Sequence, residues 1–149
     1  MIPILKSSAK AKSKFKKKIL ALDDDISIRA LLEILLQRKY EVITKEDGIQ
    51  AMLWLEQGNI PDLIVADIQM PKMNGTDFVN MIKKSGYFRD IPIVMLSGLD
   101  DPSIKKQCLE AGVKKFYQKP FNPNDLLAYI EKMFEDDIEE INANNFKYA

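Results

Sequence analysis

The stretch Pro61-Asp62-Leu63-Ile64-Val65-Ala66-Asp67-Ile68-Gln69-Met70-Pro71-Lys72-Met73-Asn74-Gly75 decides the fold. Leu63 to Ala66 is a short apolar run without polar alternation, the mark of a strand buried on both faces. It ends at a carboxylate, Asp67. A turn around Met70-Pro71 follows, and a helical pattern opens at Gly75. The same order recurs on both sides. Upstream, the run at 19–22 ends at Asp23, and Ile28, Leu32, Leu35 and Leu36 then repeat at helical spacing, with Arg29, Glu33 and Gln37 on the opposite face. A strand at 40–44 and a helix at 48–57 come next, with Ala51, Met52 and Leu55 as its inner face. Downstream of the helix at 75–85, a strand at 91–96 ends at Ser97-Gly98. A helix at 102–111 carries Pro102 in its first turn, where proline is permitted. A strand at 113–117 ends near Lys119-Pro120, and Asn122 or Asn124 caps a fifth helix through Leu126, Leu127, Ile130 and Phe134.

Five strand-then-helix units predict an α/β fold with a five-stranded parallel sheet, right-handed crossovers and helices on both faces. Ligand sites of such sheets lie outside the carboxyl ends of the strands. Asp23, Asp24 and Asp25, then Asp67, Ser97 and Lys119, all fall at those ends.

Composition excludes much else. Lys+Arg and Asp+Glu are both 22, but residues 1–18 hold seven lysines and no acid, which leaves 15 basic against 22 acidic side chains in the other 131 residues. A net of −7 there argues against direct nucleic-acid binding. No apolar run reaches the roughly 18–20 residues of a membrane span. The single cysteine, Cys108, precludes an internal disulfide and fits a reducing, cytoplasmic setting; it reads as a small buried helix residue. The absence of histidine removes His-based metal sites and Ser-His or Cys-His nucleophiles.

If Asp23, Asp24 and Asp67 converge, carboxylates about 4 Å apart repel by roughly 4 kcal/mol at an effective dielectric near 20. A cation or raised pKa values must compensate. An all-oxygen site selects a hard divalent ion, Mg²⁺ first, with Mn²⁺ also possible. Lys119 adds an ammonium and Ser97 a hydroxyl. Together they form a clamp for a phosphoryl group in transfer, and the attacking carboxylate becomes an acyl phosphate.

Four segments, Lys18-Ile19-Leu20-Ala21-Leu22-Asp23-Asp24-Asp25, the 61–75 stretch, Ile91-Pro92-Ile93-Val94-Met95-Leu96-Ser97-Gly98, and Gly112 to Lys119-Pro120-Phe121, stand in the order and at the spacing of one family. From about residue 17 to 134 the chain resembles the receiver domain of two-component response regulators. The resemblance implies a flavodoxin-like, CheY-like (βα)5 fold with strand order 2-1-3-4-5. It implies Asp67 as phosphoacceptor. It implies direct Mg²⁺ ligation by Asp24, Asp67 and the backbone carbonyl of Gln69, with Asp23 acting mainly through water. Ser97 and Lys119 would meet the phosphoryl oxygens, Phe116 would be the aromatic switch, and the Lys119–Pro120 bond would be cis. Gln69 and Leu99 fall at the positions that flank the phosphoryl group.

The expected protein is a stand-alone signalling switch and not an enzyme acting on other substrates. It takes its phosphoryl group from a sensor histidine kinase or histidine phosphotransfer protein. It signals to an unidentified downstream protein through the face of helix four, strand five and helix five, as a monomer or weak dimer. Two alternatives remain: a haloacid-dehalogenase-like Mg²⁺-dependent phosphatase with Asp23 as nucleophile, and a phosphorylation-independent interaction module. The expected organisation is a basic tail at 1–17, a receiver at 18–134 and an acidic extension at 135–149 that continues the last helix. The tail's Met1-Ile2-Pro3-Ile4-Leu5 patch is apolar enough to dock on another surface, and its lysines suit an acidic partner or a membrane surface. Leu53 and Trp54 lie off the inner stripe of their helix, and Ile138 and Ile141 extend the stripe of the last one.

Overall fold

The computed structural model describes residues 16–147; most of the predicted basic tail, residues 1–15, lies outside it, as do the last two residues. The described chain falls into two compact units, one ending at Lys119 and one beginning at Pro120.

The first unit holds β1 (Lys18–Leu22), α1 (Ile26–Leu36), β2 (Glu41–Lys45), α2 (Gly48–Glu56), β3 (Leu63–Asp67), α3 (Gly75–Lys84), β4 (Ile93–Ser97), α4 (Pro102–Glu110) and β5 (Lys115–Gln118). The strands form one parallel sheet in the order β2-β1-β3-β4-β5, the expected topology. Every residue of β3 and β4 is buried, as unalternated apolar runs require, while β2 and β5 at the edges are only partly so. Register sorts the side chains by face. Leu20, Ile64 and Ile93 align, as do Leu22, Ala66, Met95 and Phe116. These residues pack with Ala51 and Leu55 of α2, Phe78, Val79 and Ile82 of α3, and Cys108 of α4. Leu32 and Leu36 of α1 are buried outside that cluster. They cover the side of Ile19, Ala21, Leu63 and Val65, so helices flank both faces.

Most strand boundaries fall within one residue of the sequence reading, and two strand starts differ by two residues for identifiable reasons. The fourth strand begins at Ile93 and not at 91, because Pro92 has no N–H to give the ladder and Ile91 turns its own N–H to Phe88. The fifth begins at Lys115 and not at 113. Gly112 has a left-handed backbone (φ 103°) that closes α4, and Val113 donates back to Cys108 before pairing starts.

The caps follow the sequence. Asp25, Asp47, Asn74 and Asp101 each accept from a first-turn N–H of α1, α2, α3 and α4. In the second unit, Asn122 accepts from the N–H groups of Asn124 and Asp125 at the start of α5 (Pro123–Lys147). Leu126, Ile130 and Phe134 are the buried stripe of α5, and Ile138 and Ile141 further along it are exposed. Among the described residues no helix is long and apolar enough to cross a membrane.

Candidate functional site

Three parallel strands end in polar groups that the fold buries. Asp23 follows β1, Asp67 closes β3 and Ser97 closes β4, each at most 2% exposed. β1 and β3 are neighbours, so their ends bring Asp23 and Asp67 to one rim. Asp24, exposed, completes a set of three carboxylates whose oxygens lie within 4.8 Å of one another. Lys119, just past β5, is held by its own N–H to the Ser97 carbonyl (2.7 Å). Its Nζ reaches Asp23 Oδ2 at 2.7 Å and Asp67 Oδ2 at 3.3 Å. The remaining oxygens are engaged locally. Asp25 N–H donates to Asp23 Oδ1 (2.9 Å), and Gln69 N–H donates to Asp67 Oδ1 (3.1 Å).

The electrostatics follow from this packing. Burial, and then the charge of Asp23, push the Asp67 carboxyl up from 3.8 to about 6, against the opposing pull of Lys119. Burial lowers the Lys119 ammonium, but its bonds to Asp23 and Asp67 outweigh that and leave its pKa raised. With all groups ionised, three carboxylates and one ammonium leave two negative charges. A divalent cation cancels that excess, and an all-oxygen donor set fits a hard one.

The other predicted residues flank this centre. Ser97 Oγ accepts from Leu99 N–H (3.0 Å), which turns the chain directly after β4. Gln69 is exposed, and its Oε1 lies 3.4 Å from where a Cβ would stand on Gly98. Phe116 is not part of the acidic cluster. It is half-buried on the sheet face of Met95, whereas Asp67 shares the opposite face with Leu96. There it lines a cavity of about 250 Å³ with Leu99, Pro102 and Lys105.

Three further features support the site. Arg29, placed on the outer face of its helix by its periodicity, instead turns inward, 15% exposed, and donates to the Asp23 carbonyl at 2.7 Å. The signal was its position six residues after the acid, one turn into α1, within reach of the loop it caps. Gly75 allows the chain to return against β3: a Cβ there would strike the Asp67 carbonyl and stand 2.7 Å from Ile68 Cα. Lys72 takes a left-handed backbone (φ 68°) in the same loop, a strain of about 1 kcal/mol for a non-glycine residue. Neither feature has a signature beyond the Pro71-to-Gly75 turn composition.

A family model, the response regulator receiver domain, matches residues 19–131. The chain belongs to that family. It is 42% identical over 119 residues to a probable transcriptional regulator ycf27 of Cyanophora paradoxa, covering 79% of this chain and 48% of the relative. It is 35% identical over 109 residues to the two-component response regulator ORR3 of Oryza sativa subsp. indica, covering 72% and 83%. The chain thus spans about half the length of the ycf27 relatives it matches. Among solved structures, the chemotaxis response regulator CheY4 of Vibrio cholerae superposes with a TM-score of 0.70 at 37% identity, covering 78% of this receiver and 97% of that chain. The Mn²⁺-bound form of response regulator Rcp1 superposes with a TM-score of 0.68 at 26% identity, covering 78% and 91%. Receiver domains are the signalling switches of two-component systems. They bind Mg²⁺ or Mn²⁺ in an acidic pocket and work with histidine kinases or phosphotransfer proteins.

Proposed function

We propose that this receiver accepts a phosphoryl group from a phosphohistidine of a sensor kinase or phosphotransfer protein onto Asp67. The convergence of Asp23, Asp24 and Asp67 with the Lys119 ammonium at one rim supports this reading above any other observation. An Asp67 carboxylate oxygen attacks phosphorus, the P–N bond to the histidine breaks, and the imidazole nitrogen leaves with the electron pair. Asp23, Asp24, Asp67 and the Gln69 carbonyl are the groups that hold Mg²⁺ or Mn²⁺. The ion supplies charge neutralisation for the phosphoryl oxygens. Lys119 pairs with the transferring group in place of its present carboxylate partners, across a cis Lys119–Pro120 bond. Ser97 exchanges its bond with Leu99 N–H for one to a phosphoryl oxygen. That exchange moves the loop after β4 and repacks Phe116 against the cavity beside α4, so a change at one sheet face reaches the other. Phe116 lacks a phenolic hydroxyl, so this switch works by packing. The signal passes to a downstream protein through the surface of α4 and β5.

The test is incubation of the intact chain with acetyl phosphate and Mg²⁺, read by intact mass. One phosphoryl adduct is expected. It disappears in Asp67→Asn and in the presence of a chelator. Labelling of Asp67→Asn at the wild-type level defeats the assignment, and an adduct mapped to Asp23 supports the phosphatase reading instead.

A further inference from the structure

Helix α5 runs on past the end of its buried stripe. Leu126, Ile130 and Phe134 are at most 5% exposed, whereas Ile138 and Ile141 are 52% and 58% exposed. At about 100° per residue, both isoleucines lie within about 40° of Phe134 around the helix axis. They continue its stripe into water, on a stretch from 135 to 147 that is about 20 Å long. Acids border the stripe on both sides. The same spacing puts Asp137 and Glu140 along one margin and Glu135 and Glu139 along the other, with Asp136 opposite. All five are exposed, and no Lys or Arg lies between Lys132 and Lys147. Among the described residues, none of the five is in an ion pair.

We propose that this stretch of α5 is the docking surface for an amphipathic helix of another protein, one whose own apolar stripe is bordered by Lys or Arg. Removing the two isoleucines from water supplies the non-specific part of the attraction. Charge decides what can cover them. Five carboxylates within six residues repel nucleic acid and anionic lipid alike. A second copy laid along the same stripe would double the carboxylates at the seam, and like charges that face each other across an interface oppose docking.

A basic partner meets both conditions. Its cations pair with acids that have no partner within the chain, and its apolar residues cover Ile138 and Ile141. The helical form follows from the shape of the surface. A narrow apolar line with acids along both margins is matched by a second helix with apolar residues on its seam and cations beside it. With only two exposed anchors, the affinity is modest and depends strongly on salt. None of these residues belongs to the set formed by Asp23, Asp24, Asp67 and Lys119, so the docking surface does not rest on the phosphotransfer reading.

The test uses the full chain and a fluorescently labelled helical peptide of about 20 residues, with leucine at its a and d positions and lysine at e and g. Anisotropy at about 50 mM salt is expected to show saturable binding in the micromolar range, and hydrogen exchange is expected to slow across residues 135–145. The affinity falls at least about tenfold in Ile138→Gln, Ile141→Gln, which keeps helix propensity and removes the apolar anchors. Both residues are exposed, so the fold tolerates the change. A similar loss is expected in Glu135→Gln, Asp137→Asn, Glu139→Gln, Glu140→Gln, and in wild type at about 300 mM salt. Peptides with glutamate in place of lysine, or with the same composition scrambled, bind at least about tenfold more weakly. Acetyl phosphate labelling of the isoleucine variant stays at the wild-type level. No binding, unchanged affinity in either variant, equal binding of a control peptide, or exchange protection confined to other segments each overturn the proposal. Self-association of the wild type that the isoleucine variant loses, read by sedimentation, also overturns it, because a second copy is then the occupant.

Discussion

At the carboxyl ends of the strands, Asp23, Asp67 and Ser97 are polar groups taken out of water; at the amino ends, Ile60 and Tyr87 are apolar groups left in it. The first arrangement stores unfavourable energy. Two buried carboxylates share one ammonium, one of them has its pKa raised to about 6, and the loop beside it holds a left-handed lysine. The second arrangement is relaxed: its ion pair between Lys17 and Asp62 is long and solvent-exposed, worth at most about 1 kcal/mol. One sheet carries both, with Leu20, Leu22, Ile64, Ala66, Ile93 and Met95 fully buried between the two ends. The strained end is thus the end able to respond to a ligand, and the relaxed end is the one free to carry other contacts.

Five substitutions or conditions break or sharpen this contrast. The largest effect belongs to Lys119→Ala. It removes the only ammonium touching Asp23 and Asp67 among the described residues, and the initial rate of acetyl phosphate labelling should fall about 100-fold, the usual cost of one transition-state donor. A rate within twofold of wild type would mean that the ammonium is a structural counter-ion alone. Next is Gly75→Ala. The new methyl group meets the Asp67 carbonyl and the Ile68 backbone, so β3 or α3 must shift, and urea unfolding should show a loss of about 1–3 kcal/mol.

The third effect is pH-dependent and is read without divalent ions. The folded state holds the Asp67 proton more tightly than an ordinary carboxyl, which titrates at 3.8. That stabilisation is complete below about pH 4 and is lost as pH rises through about 6. Urea midpoints should therefore decline across that window. Asp67→Asn should flatten the decline and be the more stable form at pH 7.5 by about 1 kcal/mol. Equal slopes in both proteins would show that Asp67 is ionised throughout. Mg²⁺ should raise the wild-type midpoint in proportion to RT ln(1 + [Mg²⁺]/Kd), about 2.7 kcal/mol at 100 times Kd, and raise that of Asp67→Asn less. The smallest effect is the control at the relaxed end. A Cβ on Gly86 meets nothing within 4 Å, so Gly86→Ala should change stability by less than about 0.5 kcal/mol.

The parts of the fold readable from sequence are those where one physical demand acts alone. β1, β3 and β4 are continuous apolar runs because both faces are covered, and Asn122 sits where the free N–H groups of the last helix need it. The boundaries of β4 and β5 were misplaced where two demands compete. Ile91 and Val113 are buried, and so read as strand, yet a proline and a left-handed glycine delay the ladder. At the site, the residue types and the strand ends were legible, since Asp23, Asp67, Ser97 and Lys119 each stand where an apolar run gives way to a turn. The partner of Lys119 was not: periodicity says nothing of an ion pair spanning 96 positions. Arg29 was misjudged because a helical wheel assigns its Cα to the outside while a long guanidinium side chain reaches back to the Asp23 carbonyl.

The final helix has one more consequence. Glu135 and Glu139, and Asp136 and Glu140, are like-charged neighbours one turn apart on an exposed stretch of α5. Added electrolyte weakens such repulsion within a Debye length of roughly 10 Å at 0.1 M. The 135–140 stretch of α5 therefore behaves as a gauge of ionic strength: its backbone amides gain exchange protection as salt rises, while amides of the buried strands keep theirs.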